Sequence, residues 1–403
     1  MRKYLWLDIL AGVVIVIGVL GAVLFLTRQP SSAKPTPFPT SAESVTPSPT
    51  PSVTSVDYGD WPTYGYDNAR TRFAPEIAVR SPFRTKWEWH PGDLLEFPPS
   101  IWQNRLYVAT EHGFIYCLRA PDRSTKWRHK VSGQIASTPT IAGGKVYVTT
   151  FEHGLLVYDG LTGRKLWSFA SGSTESSPLV WDGMVYFGDR AGRIFAVNTR
   201  THKQEWSYQT GGKVAGAPAM LNGRIVVGSY DGAVYCFSPG GHLYWRRSTG
   251  SSLSSDEFYA TASLAYNTAY IGSISDRIYA LDLNNGGTRW SFGTGGWVYS
   301  SPAVWHGIVY EGSYDGRFYA LTASSGALRW SFSAGGQISG SPTVIDGVVY
   351  FSTTSHRTWG LNARTGKVVW GMNDGSYTPI TGDSKHLYFC GTHTLYCLMA
   401  KKK

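Results

Sequence analysis

Apolar and polar residues alternate with a period of two along most of the chain, in short runs cut by glycine-bearing turns. The stretch Ser301–Trp330, SPAVWHGIVYEGSYDGRFYALTASSGALRW, shows the unit most clearly. It opens on Ser301-Pro302, turns at His306-Gly307, and alternates around Val309 and Tyr310. It turns again at Asp315-Gly316, alternates from Phe318 to Leu321, turns at Ser325-Gly326 and closes on Trp330. This pattern predicts four short antiparallel strands, since Asp-Gly and other glycine-bearing pairs supply the positive φ angles that hairpins need. One such sheet cannot bury both its faces, so copies must stack against one another.

The copies are present. A Trp closes each unit, at Trp87, Trp127, Trp167, Trp206, Trp245, Trp290, Trp330 and Trp370, with spacings of 40, 40, 39, 39, 45, 40 and 40 residues. Pro99, Pro139, Pro178, Pro218, Pro302 and Pro342 precede their closing Trp by 28 residues, or 27 at Pro218. After Trp245 the Pro slot holds Ala262, and that connection carries about five extra residues. A period near 40 with four strand-like runs predicts β-propeller blades. The last unit, through Leu387-Tyr388-Phe389 to Leu395-Tyr396-Cys397-Leu398, ends without a closing Trp. The run Arg84–Trp89 is therefore expected to complete it as an outer strand, closing a ring of eight blades and removing open sheet edges.

The front of the chain differs. After Met1-Arg2-Lys3, the 22 residues Leu5–Leu26 are apolar apart from Asp8, long enough for one transmembrane helix. No Ala-x-Ala-like cleavage site follows, so residues 1–29 are expected to be an uncleaved anchor, with the bulk of the chain on the extracytoplasmic side of the cell membrane. Residues 30–56, rich in Pro, Ser and Thr, are expected to be a disordered linker, and residues 57–400 the propeller. Charged residues make up 16% of the chain and aromatics 14%, with 46 glycines, which suits strands and turns better than helices. Of the net charge of +10, Lys401–Lys403 supply three and residues 1–56 two; the rest is too dilute to suggest nucleic acid as a partner. Cys117, Cys236 and Cys397 fill one small buried slot of the repeat, where other copies carry Ala280 or Ala320. Cys390 and Cys397 lie in one hairpin, so a disulfide between them is an open possibility, and no spacing suggests zinc.

The closing segments Tyr158–Trp167 (YDGLTGRKLW) and Leu361–Trp370 (LNARTGKVVW), with looser versions at Leu281–Trp290 and Leu321–Trp330, carry a family resemblance. They resemble the repeat of pyrroloquinoline quinone (PQQ)-like propellers, in which an Ala-x-Asp-x-x-Thr-Gly-Lys-x-x-Trp segment ends each blade. Asp60–Arg72 is similar to the lead-in of many members. The resemblance spans residues 60–400 and implies an all-β fold, an eight-bladed β-propeller of four-stranded blades. It also implies that the eight Trp residues are structural, docking between blades against a neighbour's glycine-bearing turn. Two functions live on this fold: quinoprotein dehydrogenases holding PQQ and calcium at the ring centre, and the lipoprotein of the outer-membrane assembly machine, which needs no cofactor and offers surfaces to partners.

One propeller face is built from two sets of loops. Those inside the middle hairpins carry Glu111-His112, Glu152-His153, Asp189-Arg190, Tyr230-Asp231, Asp276-Arg277, Tyr314-Asp315, His356-Arg357 and His393. Those leading into the blades carry Glu96, Gln134, Glu175, Lys213, the Ser251–Tyr259 insertion with Asp256 and Glu257, Trp297, Tyr299, Gln337 and Tyr377. Asp231-Gly232 and Asp315-Gly316 read as turn chemistry. The rim candidates are Glu111, His112, Glu152, His153, Asp256, Glu257, Tyr259, Trp297, Tyr299, His356 and Arg357, with the insertion foremost because it breaks the repeat. A PQQ dehydrogenase needs a carboxylate base and a calcium-binding set of Glu, Asn and Asp. Adjacent cysteines, long inter-blade insertions and a haem-binding Cys-x-x-Cys-His are all missing from this sequence. The expectation is thus a membrane-anchored, non-catalytic protein-interaction scaffold or ligand-sensing head without PQQ or calcium. The alternatives are a PQQ/calcium-dependent dehydrogenase and a carbohydrate- or wall-binding head using the rim aromatics.

Overall fold

The structure, a computed structural model, describes residues 61–249, 256–377 and 380–401. The apolar run Leu5–Leu26, the linker and residues 251–255 of the insertion lie outside them. No helix among the described residues is long and apolar enough to cross a membrane. The strands form eight antiparallel blades. Seven use consecutive strands, within residues 100–130, 140–169, 179–209, 219–248, 263–293, 303–333 and 343–372 (blades 1 to 7). Blade 8 combines Thr381–Gly382, Leu387–Cys390 and Leu395–Ala400 with an outer strand from the start of the chain, Phe83–Trp89. Ring closure is therefore a seven-residue strand pairing, Phe83 opposite Ala400 and Trp89 opposite Leu395.

Blade 6 shows how the sequence makes the unit. Ala303–Trp305 and Ile308–Gly312 are joined through His306 (φ 45°) and Gly307 (φ 73°), the two left-handed residues of a tight hairpin turn. Arg317–Thr322 and Leu328–Ser333 follow, with a bulge at Ala320/Leu321 that sets Trp330 opposite Ala320. The second and third strands are buried on both faces, while the outer strand alternates half-buried and exposed.

The Trp side chains hold neighbouring blades together. Nε1 of Trp87, Trp127, Trp206, Trp245, Trp290 and Trp330 donates to the carbonyl of Ala120, Gly160, Pro239, Leu283, Ala323 and Ala363, each in the last turn of the next blade, at 2.8–3.1 Å. A second-strand Tyr hydroxyl shares four of these carbonyls: Tyr107, Tyr186, Tyr270 and Tyr310 reach those of Gly160, Pro239, Ala323 and Ala363. A glycine must sit over the ring. A Cβ on Gly163 (φ +74°) would fall 2.6 Å from Trp127, and one on Gly326 2.7 Å from Trp290. Between blades 2 and 3 the glycine slot holds His202 (φ 60°), whose ring stacks on Trp167 at 4.6 Å. There Trp167 Nε1 finds no protein acceptor.

The inner strands leave donors facing the axis, and the lead-in answers them. Backbone N–H groups of Ile101, Ile141, Met220, Leu264, Val304 and Val344 donate to carbonyls of Trp61, Pro62, Asn68, Ala69, Thr71 and Arg72 at 2.7–2.9 Å. Phe73–Ala74 then pairs parallel to Thr343–Ile345. Residues 61–74 thus circle the axis and stitch six blades. Arg70 fills part of the gap at blades 3 and 4: fully buried, it donates to the carbonyls of Pro178 (3.1 Å), Pro218 (3.0 Å) and Tyr64, and to Thr63 Oγ1 (2.6 Å). Burial, and then the neighbouring Arg72, pull its pKa down to about 9, which still leaves it charged at neutral pH. Arg72 is equally buried, but its guanidinium lies 4.2 Å over the Tyr64 ring and none of its nitrogens meets a protein acceptor.

The cysteine question is answered by register. Cys390 pairs with Leu395 and Cys397 with Tyr388, so the two do not face each other, and no disulfide joins them. All four cysteines are buried, and burial pushes their thiols up, to about 12 for Cys236 and Cys397.

The two arginines make opposite predictions. Arg70→Ala strips buried carbonyls of blades 3 and 4 of a donor and opens a void, and should cost about 3 kcal/mol or more in a urea-denaturation series. Arg72→Met removes a buried charge that has no hydrogen bond and should stay within about 1 kcal/mol of the parent, or stabilise it.

Candidate functional site

The loops inside the middle hairpins and those leading into the blades do share one face, and they lock together. The N–H of Glu111 donates to Leu94 O (3.1 Å), that of Phe151 to Gln134 O (3.0 Å), and that of Tyr314 to Trp297 O (2.8 Å). The turn aspartates serve the backbone: Asp315 accepts from the N–H groups of Gly295 and Arg317, both 2.8 Å, and from the Tyr319 hydroxyl. Asp231 does the same for Gly211, Ala233 and Tyr235.

At the middle of this face is a funnel whose floor is the lead-in. Its cavity, about 70 Å3, is lined by Tyr64, Glu96, Glu175, Tyr259, Tyr299 and Tyr377, with serine hydroxyls below. Tyr64 hydrogen-bonds Ser341 (3.1 Å). Although burial pushes its phenol up, the charge of Arg72 and the hydrogen bonds of Ser341 and Ser301 outweigh that and lower its pKa. An aromatic arc climbs from the cavity to the rim: Tyr230 to Tyr259 at 6.3 Å, Tyr259 to Tyr299 at 5.4 Å, Tyr299 to Tyr314 at 4.9 Å and Trp297 to Tyr299 at 5.9 Å. Trp297 is half exposed at its top.

The charges inside are mostly negative. Lys213 pairs with Glu175 at 2.8 Å, its ammonium 4.3 Å from the Tyr230 ring centre and 5.6 Å from that of Tyr259. Glu96 makes no hydrogen bond or ion pair among the described residues, and burial, then the carboxylates of Glu111 and Glu175, raise its pKa to about 7.

The structure sorts the sequence candidates. Tyr259, Tyr299 and Trp297 come together with Glu257, whose charge is felt at Tyr230 and Tyr299. Glu111 acts on the centre through its charge and accepts from Gln134 at 3.3 Å. Asp256 does not reach the rim: it is 3% exposed and accepts the Tyr279 hydroxyl at 2.8 Å. His112 is tied to Asp93 (2.6 Å), which raises its pKa; His153 meets Ser132 (2.7 Å), and His356 meets Ser376 and Thr392 (2.9 and 3.1 Å). Glu152 packs over Gly133, and Arg357 stacks on Trp359 at 4.0 Å. These five sit around the funnel and do not line its cavity.

Glu311 is not among the candidates that the sequence puts on the rim. It is fully buried in the second strand of blade 6, with Ser300 donating to Oε1, and burial pushes its pKa well up. In the same slot the other blades carry Val108, Val148, Phe187, Val227, Ile271, Phe351 and Phe389. A carboxylate in an apolar slot of a registered repeat was the available signal.

Compared with known proteins, the chain matches the PQQ_2 family, described as "Outer membrane protein assembly factor BamB", over residues 80–292, 231–319 and 275–395. It is 27% identical over 210 residues to the outer membrane protein assembly factor BamB of Moranella endobia, covering 46% of this chain and 51% of that one. It is 27% identical over 166 residues to the dehydrogenase subunit of the quinone alcohol dehydrogenase of Gluconobacter oxydans, covering 35% and 21%. The chain thus spans about half, or less, of the length of these relatives. The crystal structure of BamB from Moraxella catarrhalis superposes with a TM-score of 0.70 at 17% identity, over 79% of this chain and 99% of that one, which speaks for the fold alone.

Glu96 gives a pH test. Its folded pKa lies above the unfolded carboxylate value, so between the two the folded state holds a proton that the unfolded state has lost. Stability should therefore fall as pH rises from the unfolded carboxylate range to about 7, and then level. Glu96→Gln should flatten that slope in urea melts run across this interval, and should leave the protein more stable above it.

Proposed function

The chain belongs to the family described as outer membrane protein assembly factor BamB, and on that premise we propose that it is a non-catalytic docking head in the cell envelope. The apolar run Leu5–Leu26 would tether it to the membrane, and the funnel face would receive a protein partner. The observation that carries this reading is the chemistry at the ring centre. A quinone cofactor bearing three carboxylates would meet Glu96 and Glu175 there, and Lys213, which reaches the cavity's edge, is already paired with Glu175. The charges do not suit that group. Nor do three His, Cys, Asp or Glu side chains converge as calcium ligands anywhere among the described residues. The lead-in floor at Tyr64 leaves room for a side-chain-sized group. Around the cavity, by contrast, the aromatic arc ends on the exposed ring of Trp297, and Tyr377 in the cavity wall is exposed too, the kind of anchor that dominates protein interfaces.

The test is capture from detergent-solubilised membranes on the immobilised propeller, alongside gel filtration after incubation with PQQ and calcium. A specific protein should be retained, and Trp297→Ala with Tyr299→Ala should weaken its binding about 30-fold or more. Stoichiometric quinone absorbance that stays with the protein and supports dye reduction by alcohols would reverse the conclusion.

A further inference from the structure

One ammonium, supplied by the chain itself, already sits against residues of the funnel wall. Lys213 shows what the cleft does with such a group: a carboxylate oxygen of Glu175 at 2.8 Å and the faces of Tyr230 and Tyr259 at 4.3 and 5.6 Å. That arrangement balances Glu175. It leaves Glu96, in the same cavity, without an ion-pair partner among the described residues, while Glu111 and Glu175 add negative potential. Tyr64, Tyr259, Tyr299 and Tyr377 complete the wall around it. A carboxylate screened from water among aromatic rings, beside two others, is best relieved by a cation brought from outside.

We propose that the centre of the funnel is a receptor for a primary ammonium on an alkyl stem, contributed by a lysine side chain of the docked partner, with Glu96 as its counter-charge and Tyr259, Tyr299 and Tyr377 as its walls. This rests on the docking-head reading and gives the partner a chemical feature. A cavity of about 70 Å3 accepts the end of a lysine with its last methylenes. The stem would lie along the aromatic arc, and the partner's backbone would stay at the rim beside Trp297. An anionic or purely apolar side chain would leave Glu96 uncompensated or make its surroundings more negative.

The full-length chain in detergent should be titrated with the peptide acetyl-Gly-Gly-Lys-Gly-Gly-amide, its norleucine counterpart and spermidine, with binding followed by calorimetry. The lysine peptide should bind at least tenfold tighter than the norleucine peptide, and Glu96→Gln should lose about tenfold for lysine alone. Lys213→Met, by releasing Glu175, should tighten the lysine peptide. Circular dichroism should show Glu96→Gln folded, since it removes a repelled charge. Equal affinity for the two peptides, indifference to Glu96→Gln, or binding of spermidine with no lysine preference would overturn the inference. Partner capture from membranes is scored separately, so a docking head without a lysine receptor is told apart from failure of both.

Discussion

The propeller depends on one recurring contact, the indole of six of its closing Trp residues donating to a carbonyl in the last turn of the next blade. A four-stranded blade has two faces to bury and no helix to cover either. The indole fixes how far apart two blades sit, and the glycine over its ring lets the neighbouring turn approach. The Tyr hydroxyl that shares the carbonyl adds a direction to the distance. Because each contact spans two successive units, blade positions are set one from the next around the ring, and strand Phe83–Trp89 then has a fixed place to close it. Trp167 marks how narrow the tolerance is: with His202 in the glycine slot, packing survives as a ring stack while the hydrogen bond is lost.

A ring held at its blade interfaces still has an open axis, and what fills it decides what the centre can do. Here the lead-in spends its carbonyls on six inner strands and sends Arg70 to the carbonyls of blades 3 and 4. The same segment sets Tyr64 as the funnel floor. One piece of chain thereby acts as an inner staple and as the wall of the candidate site. Changes at the site floor are for that reason coupled to the stability of the ring.

The blade count, the borrowed strand and the turn chemistry were legible in the sequence because they repeat, and eight registered copies turn a weak strand pattern into a firm one. The centre was less legible. Asp256 read as a rim ligand because it lies in the one insertion, yet the chain there folds it inward onto Tyr279. Tyr64, Arg70 and Arg72 stand in a segment with no copies, so nothing in the period says that they face the axis. Glu311 was visible in principle, as the one acid in a column of Val, Ile and Phe, but only to a comparison made slot by slot. The hairpin that holds Cys390 and Cys397 gave their proximity without their register, and a disulfide needs both.

Symmetry explains the fold, and departures from it carry the chemistry. The aspartates that repeat, Asp231 and Asp315, are consumed by backbone donors and have little capacity left for a ligand. The carboxylates of the funnel, Glu96 and Glu175, come from the loops between blades, which the Trp contacts do not constrain. Glu175 is matched by a lysine from the next such loop, and Glu96 is not. Glu96 lines the central cavity together with Glu175 and the tyrosines, so that mismatch sits at the middle of the ring. The unrelieved charge is therefore a built feature of the centre, and it gives the funnel a preference for cations that neither the fold nor the aromatic arc would impose alone.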